Sequence, residues 1–276
     1  MKFEQAIAIK GKGKTRSNKI SKYIRTGEGM LLGGGVILLL LVAWEILAQM
    51  NVINPIFSSS PSRIFKSGIE IIKEGSLWGN FLASGKIFGI GFLLAIVIGV
   101  PVGLIIGWFR RANQAFGPLI AALYAIPDLA MMPLFIVWFG LGLGSKVVLI
   151  FLNAVFPIIM NIQMAMRSID HDLVKVSKSY GATQGQIFRT IALPISVPFI
   201  ITGFQIASTR ALIGVVGAEV FGAQEGIGYM IRYAGMNFQT DKVFVYVIII
   251  TSTAIIFDRS LHALNKKFDA WRGLDK

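Results

Sequence analysis

The chain has 276 residues, of which 54% are hydrophobic and only 15% charged, whereas soluble domains carry roughly 25% charged residues. That leaves too little polar surface to coat a globule, and disorder, coiled coil and collagen are excluded as well. Basic residues outnumber acidic ones by 27 to 14, a net charge of +13, and the absence of cysteine removes disulfides, thiol nucleophiles and thiolate metal sites.

Residues 1–29 hold eight basic residues and two acids and read as a basic cytoplasmic tail. Within it, "AIKGKGKT" (8–15) satisfies a relaxed phosphate-loop pattern ending at Gly13, Lys14 and Thr15. A working phosphate loop needs a strand before it and a helix after it. A basic tail running into an apolar helix supplies neither, so ATP binding is assigned to another chain. The apolar run from Met30 starts late for a cleaved signal peptide and is expected to stay as a signal-anchor helix.

Six segments are long and apolar enough to cross a bilayer, which takes about 20 helical residues: approximately 30–49, 81–108, 116–140, 147–166, 195–220 and 243–262. Glycine and proline recur inside them, as is common in membrane helices that pack closely. A soluble core does not contain six such runs. The expected fold is all-α and polytopic, with a six-helix transmembrane domain over 30–262 and a cytoplasmic C-terminal tail over 263–276.

Orientation follows from the basic residues between spans. With the N-terminus inside, nineteen fall in inner segments, counting Arg259 at the inner end of the last span, and six in outer ones, so both termini are expected in the cytoplasm. The positive charge therefore flanks membrane helices, where it sets topology and meets anionic lipid. No aromatic-interleaved basic platform suggests nucleic acid.

The longest inner loop, 167–193, has internal order. Asp170 or Asp172 can cap a helix running to Tyr180, and Gly181 suits a left-handed residue after it. Thr183 and Gln186 form a capping box for a second helix over 184–192. Pro194 is expected to force Leu193 out of helical geometry and turn the chain into the fifth span. A helix–glycine–helix unit is a docking element by shape, and a connector resting on headgroups has the same outline.

Among the ionisable residues in or near the spans, Glu45, Asp128, Arg210 and Glu219 stand out. Such residues usually face a protein interior or a water-filled path, which makes Asp128, Arg210 and Glu219 candidate pathway residues. Arg210 and Glu219, nine apart, fall on opposite faces of one helix and do not pair. Arg210 either attracts an anion or pairs with Asp128 or Glu45, and pairing is favoured because a lone guanidinium in an apolar span is costly. Glu219 also fits a structural role. His171 and His262 have no zinc-site spacing, and no Ser/His/Asp order converges, so neither a metal centre nor catalysis is expected.

The stretch "SYGATQGQIFRTIALPISVPFIITGFQIA" (179–207) resembles the characteristic loop of ABC-importer permeases: Glu-Ala-Ala, three residues, Gly, nine residues, Ile-x-Leu-Pro. Gly181, Ile191, Leu193 and Pro194 fall at those spacings. "GVPVGLIIG" (99–107), "AIPDLAMMPLFIVWFGLG" (125–142), "GVVGAEVFGAQEGIGYMI" (214–231) and "FQTDKVF" (238–244) are similar to the nitrate/sulfonate/taurine branch. The likeness covers roughly residues 55–272. Lys175, Val176 and Ser177 stand at the Glu-Ala-Ala positions, so the family's acidic residue is missing.

The resemblance implies that the loop is a coupling helix seated on an ATPase subunit, through Lys175, Ser177, Tyr180, Gly181, Ala182, Gln186, Ile191 and Pro194. It also implies a homodimer, two ATPase subunits inside that bind the ATP and Mg, and a solute-binding protein outside. This chain then carries no cofactor and makes no bonds. A sulfonate, taurine, nitrate or bicarbonate is the implied cargo, with a neutral vitamin precursor as the alternative. A secondary transporter or channel would show inverted repeats or a polar filter, and a membrane enzyme a reactive cluster; the sequence has neither.

Overall fold

The computed structural model describes residues 32–50, 54 and 57–269. The basic tail with its Gly13-Lys14-Thr15 stretch, and residues 270–276, lie outside the described residues. Every regular element among the described residues is helical. Contacts divide the chain into two units, 1–66 and 67–276.

In the first unit, α1 (Leu32–Gln49) is an apolar helix whose length is unburied. Its Glu45 accepts from Ser62 N–H (3.0 Å), Ser62 Oγ (2.8 Å) and Gln49 Nε2 (2.9 Å). The carboxylate is thus satisfied by near neighbours. Ser62 lies in the first turn of α2 (Pro61–Glu74), which has proline at its first position and a Ser60 hydroxyl accepting from Arg63 N–H at 3.3 Å. Both features favour a helix start.

The second unit is layered around α6 (Leu143–Arg167), which packs against α3 (Ser76–Trp108) and α9 (Leu193–Gly222). A seam of small residues allows the α3–α6 approach. A Cβ on Gly99 would lie 3.1 Å from Ile158 Cγ2, and one on Gly103 would lie 3.0 Å from Ile162 Cβ. Glycines four apart on one helix face let backbones close in where lipid offers no hydrophobic drive. Ile150, Ile158 and Ile162, fully buried, fill the seam from α6. α11 (Thr240–Asp269) and α10 (Ile227–Met236) pack against each other and against α9. α11 carries helix past 262, so 263–269 of the expected tail is helical.

Five helices are long and apolar enough to span a membrane, or six if one bent pair counts as a span. That pair corrects the expectation of one continuous helix over 116–140. α4 (Arg110–Tyr124) stops before Pro127, a 3₁₀ turn covers Asp128–Met131, and α5 (Met132–Phe139) departs at 79°. Pro127 has no N–H to continue the ladder and pushes Ile126 away from helical geometry. Two short helices, α2 and α10, occupy stretches that the span reading left as connections.

Candidate functional site

The loop after α6 is built almost entirely from local bonds. α7 (His171–Ser179) is capped by Asp170, whose Oδ1 accepts from Asp172 N–H at 2.8 Å. Lys175 Nζ lies 2.9 Å from Asp172 Oδ1, an exposed pair one turn apart. Gly181, at φ +80°, ends the helix in the left-handed region and bonds its N–H to Lys178 O (2.9 Å). Only glycine takes that conformation without strain. The capping box also forms: Thr183 N–H donates to Gln186 Oε1 (2.8 Å), and Gln186 N–H donates to Thr183 Oγ1 (3.3 Å).

The burial pattern shows which face of α7 looks outward. Val174 and Ser177 are half-buried, while Leu173 (50% exposed), Val176 (54%) and Tyr180 (88%) form an apolar stripe in the open. Their spacing of three and four keeps them on one face. Of the remaining docking candidates, Gly181 and Gln186 are exposed, and Ala182 is half-buried beside them. Ile187, fully buried, anchors α8 (Gln184–Ile187).

Beyond α8 the structure departs from the sequence expectation at Pro194. Leu193 stays helical at φ −64°, ψ −48°, and the chain runs from α8 through a π-helical stretch, Phe188–Ala192, into α9. Pro194 follows the π stretch directly, so the ladder is already interrupted where its N–H is missing. The wider π turn absorbs the extra residue. Half-buried Ile191 and exposed Pro194 therefore continue one helical rod.

The ionisable candidates separate into two settings. Arg210, exposed on α9, places its guanidinium 4.4 Å from the centroid of the Tyr124 ring at the end of α4. Asp128, past the bend, acts on it only through space. The expected ion pair is replaced by a cation–π contact, worth about 0.5–2 kcal/mol depending on desolvation. Glu219 is fully buried and not open to a path. It accepts from Ser84 Oγ on α3 and from Gly228 N–H on α10, both at 2.7 Å. Ser84 Oγ in turn accepts from Ile227 N–H (2.8 Å), and Asn80 Oδ1 accepts from Gly226 N–H (2.8 Å). Lys146, one residue before the expected span 147–166, is buried in the first turn of α6 and adds a favourable field at Glu219.

Residues 99–270 match the family described as binding-protein-dependent transport system inner membrane component. The chain belongs to that family. It is an ABC importer permease, a multi-pass membrane protein and not an enzyme. It is 28% identical to the taurine transport system permease protein TauC of Escherichia coli, over 87% of this chain and 89% of that one. It is 31% identical to SsuC of Bacillus subtilis, named for aliphatic sulfonates transport, over 89% and 87%. A solved inward-facing MetNI methionine ABC transporter shares the fold, with a TM-score of 0.60 at 20% identity, over 71% of this chain and 98% of that one. The family implies an ATPase and a solute-binding protein as partners.

Two features of the permease escaped the sequence reading. The Leu173–Val176–Tyr180 stripe has a legible spacing of three and four, but only the packing of the folded chain reveals that it faces outward. Asn80 and Ser84, the partners of the α9–α10 turn, had no local signal, because they lie more than a hundred residues from what they bind.

Proposed function

We propose that the permease forms half of a translocation pathway as a homodimer, with both termini cytoplasmic and α7 seated on an ATPase subunit. The carrying observation is the exposed apolar stripe of Leu173, Val176 and Tyr180 on a helix held by its own caps. An apolar face left open on a rigid, polar-capped element marks a protein contact. ATP and Mg are held by the two ATPase subunits, and this chain contributes no cofactor ligand. Closure of the ATPase pair would push α7, and α8 with its continuous π–α9 rod would pass that motion to the spans, alternating access between the faces. Lys175, Ser177, Tyr180, Gly181, Ala182 and Gln186 form or flank the contact, while Ile191 and Pro194 belong to the rod.

The cargo we infer is a small sulfonate-like anion delivered by the binding protein, as the names of the taurine and sulfonate relatives suggest. We read exposed Arg210, steadied by Tyr124 and acted on by Asp128, as a residue that attracts it. Leu173→Asp with Val176→Asp should abolish ATPase co-purification and uptake while membrane insertion stays at the wild-type level. Retained co-purification would refute the docking face. Arg210→Gln should cut taurine uptake and leave assembly intact. Stimulation by a neutral vitamin precursor and not by any sulfonate would overturn the cargo class. Because cysteine is absent, Lys66→Cys and Lys175→Cys can each be probed singly. An impermeant thiol reagent outside intact cells should label only the first, and the reverse would invert the orientation.

A further inference from the structure

At the corner where α3 ends and α4 begins, beside α7 and α8, three hollows adjoin. The largest, about 550 Å³, is walled by Trp108, Phe109, Arg110, Asn113, Met166 and Arg167, and reaches His171 on α7. The second, about 450 Å³, shares Arg110, Asn113 and Arg167 and extends along α4 past Gly117. The third, about 340 Å³, shares Trp108 and Phe109 and runs between Leu104, Ile105 and Phe188.

The charges of this corner are unbalanced. Two guanidinium groups border the first two hollows, and among the described residues no carboxylate lines any of the three. Arg167 Nη2 donates to Asn113 Oδ1 at 2.9 Å, a neutral acceptor that leaves its charge uncompensated. The nearest acids in sequence are engaged elsewhere, Asp170 with the N–H of Asp172 and Asp172 with Lys175. The first turn of α4 holds Arg110 and Arg111 with no acid and no side-chain cap. Cations at a helix N-terminus oppose the macrodipole, and the free N–H groups there add to the demand for an anion. The polarity then changes over one turn. Leu104 and Ile105 lie one turn deeper in the span than Trp108 and Phe109, so a basic mouth leads into an apolar groove.

We propose that this corner binds one anionic membrane phospholipid, its phosphate between Arg110 and Arg167 and an acyl chain along Leu104, Ile105 and Phe188. A basic pocket between helices at the end of a span suits an anionic headgroup, and the contiguous apolar groove selects a lipid over a soluble phosphate. The bound lipid would neutralise the arginines and pack against α7 and α8. The site rests on the chain spanning a membrane and not on the docking role of α7.

The test uses the purified transporter complex with its partner subunits, supplied with phosphatidylglycerol and phosphatidylcholine and read by native mass spectrometry. Wild type should retain phosphatidylglycerol in preference, and excess glycerol phosphate should not displace it. Arg110→Ala and Arg167→Ala should each lower retention about tenfold, the worth of one charge-assisted contact. Arg111→Ala, on the same turn but outside the lining, should leave retention unchanged. Ile105→Trp should lower it by filling the groove with no change of charge, and Arg110→Lys should keep most of it. Equal retention across these variants, or no preference for the anionic lipid, would refute the site. Displacement by glycerol phosphate would make it a phosphate site. Lipid retained only by permease stripped of its ATPase would give the corner to a partner carboxylate. Either outcome overturns the proposal.

Discussion

The α7–α8 loop and the α9–α10 turn both join apolar helices, yet opposite means hold them in shape. The side-chain bonds within α7 and α8 span four residues or fewer, from the Asp170 cap to the Thr183–Gln186 box and the Thr190 hydroxyl on Gln186 O, and the long-range bond from Arg167 to Asn113 lies before them. The turn is fixed by Asn80 and Ser84, which reach Gly226, Ile227 and Glu219 across 135 to 146 residues of chain. The loop leaves three large apolar side chains in the open, and the turn buries a carboxylate completely. A segment ordered by its own caps keeps its shape while it moves as a body, as a coupling element must. A segment clamped from a distant helix moves only if the packing between α3, α9 and α10 is broken.

The comparison is tested most severely at Glu219. Glu219→Ala strands the Ser84 hydroxyl and the Gly228 N–H, each at about 1–3 kcal/mol, so the folded fraction and detergent melting temperature should fall steeply. Glu219→Gln keeps one acceptor oxygen and should fall less. Wild-type melting of the alanine variant would show that the clamp does not support the turn. At Gly181 the expected effect is smaller and of another kind. No atom lies within 4 Å of a Cβ built there, so Gly181→Val costs only the left-handed backbone, about 1–2 kcal/mol. Membrane levels should hold while ATPase co-purification and uptake fail, and full uptake would sink the docking role. Thr183→Ala, which removes half of the capping box, should cost about 1 kcal/mol and reduce uptake only partly. A loss as deep as that of Gly181→Val would mean that Thr183 touches the partner directly.

Features governed by chemistry within a few residues were legible in the sequence. These were the apolar runs of the spans, Asp170 as one of two cap candidates, Thr183 as a cap, Gly181 as the left-handed stop, and the loop spacing that marks the permease family. Features that depend on which helices become neighbours were not. Pro127 and Pro194 look alike as helix breakers, but the chain bends by 79° at the first and passes the second through a π turn. Arg210 had two acidic candidates and instead faces Tyr124 at the end of α4, while Asp128 acts on it through space. Glu219 read as a possible pathway residue until Ser84 and Gly228 were brought to its two oxygens. Hydropathy, caps and turn residues act over one or two turns of chain and are written locally. The partner of a buried charge is set by the packing of helices far apart in sequence, so it was decided only in the folded molecule.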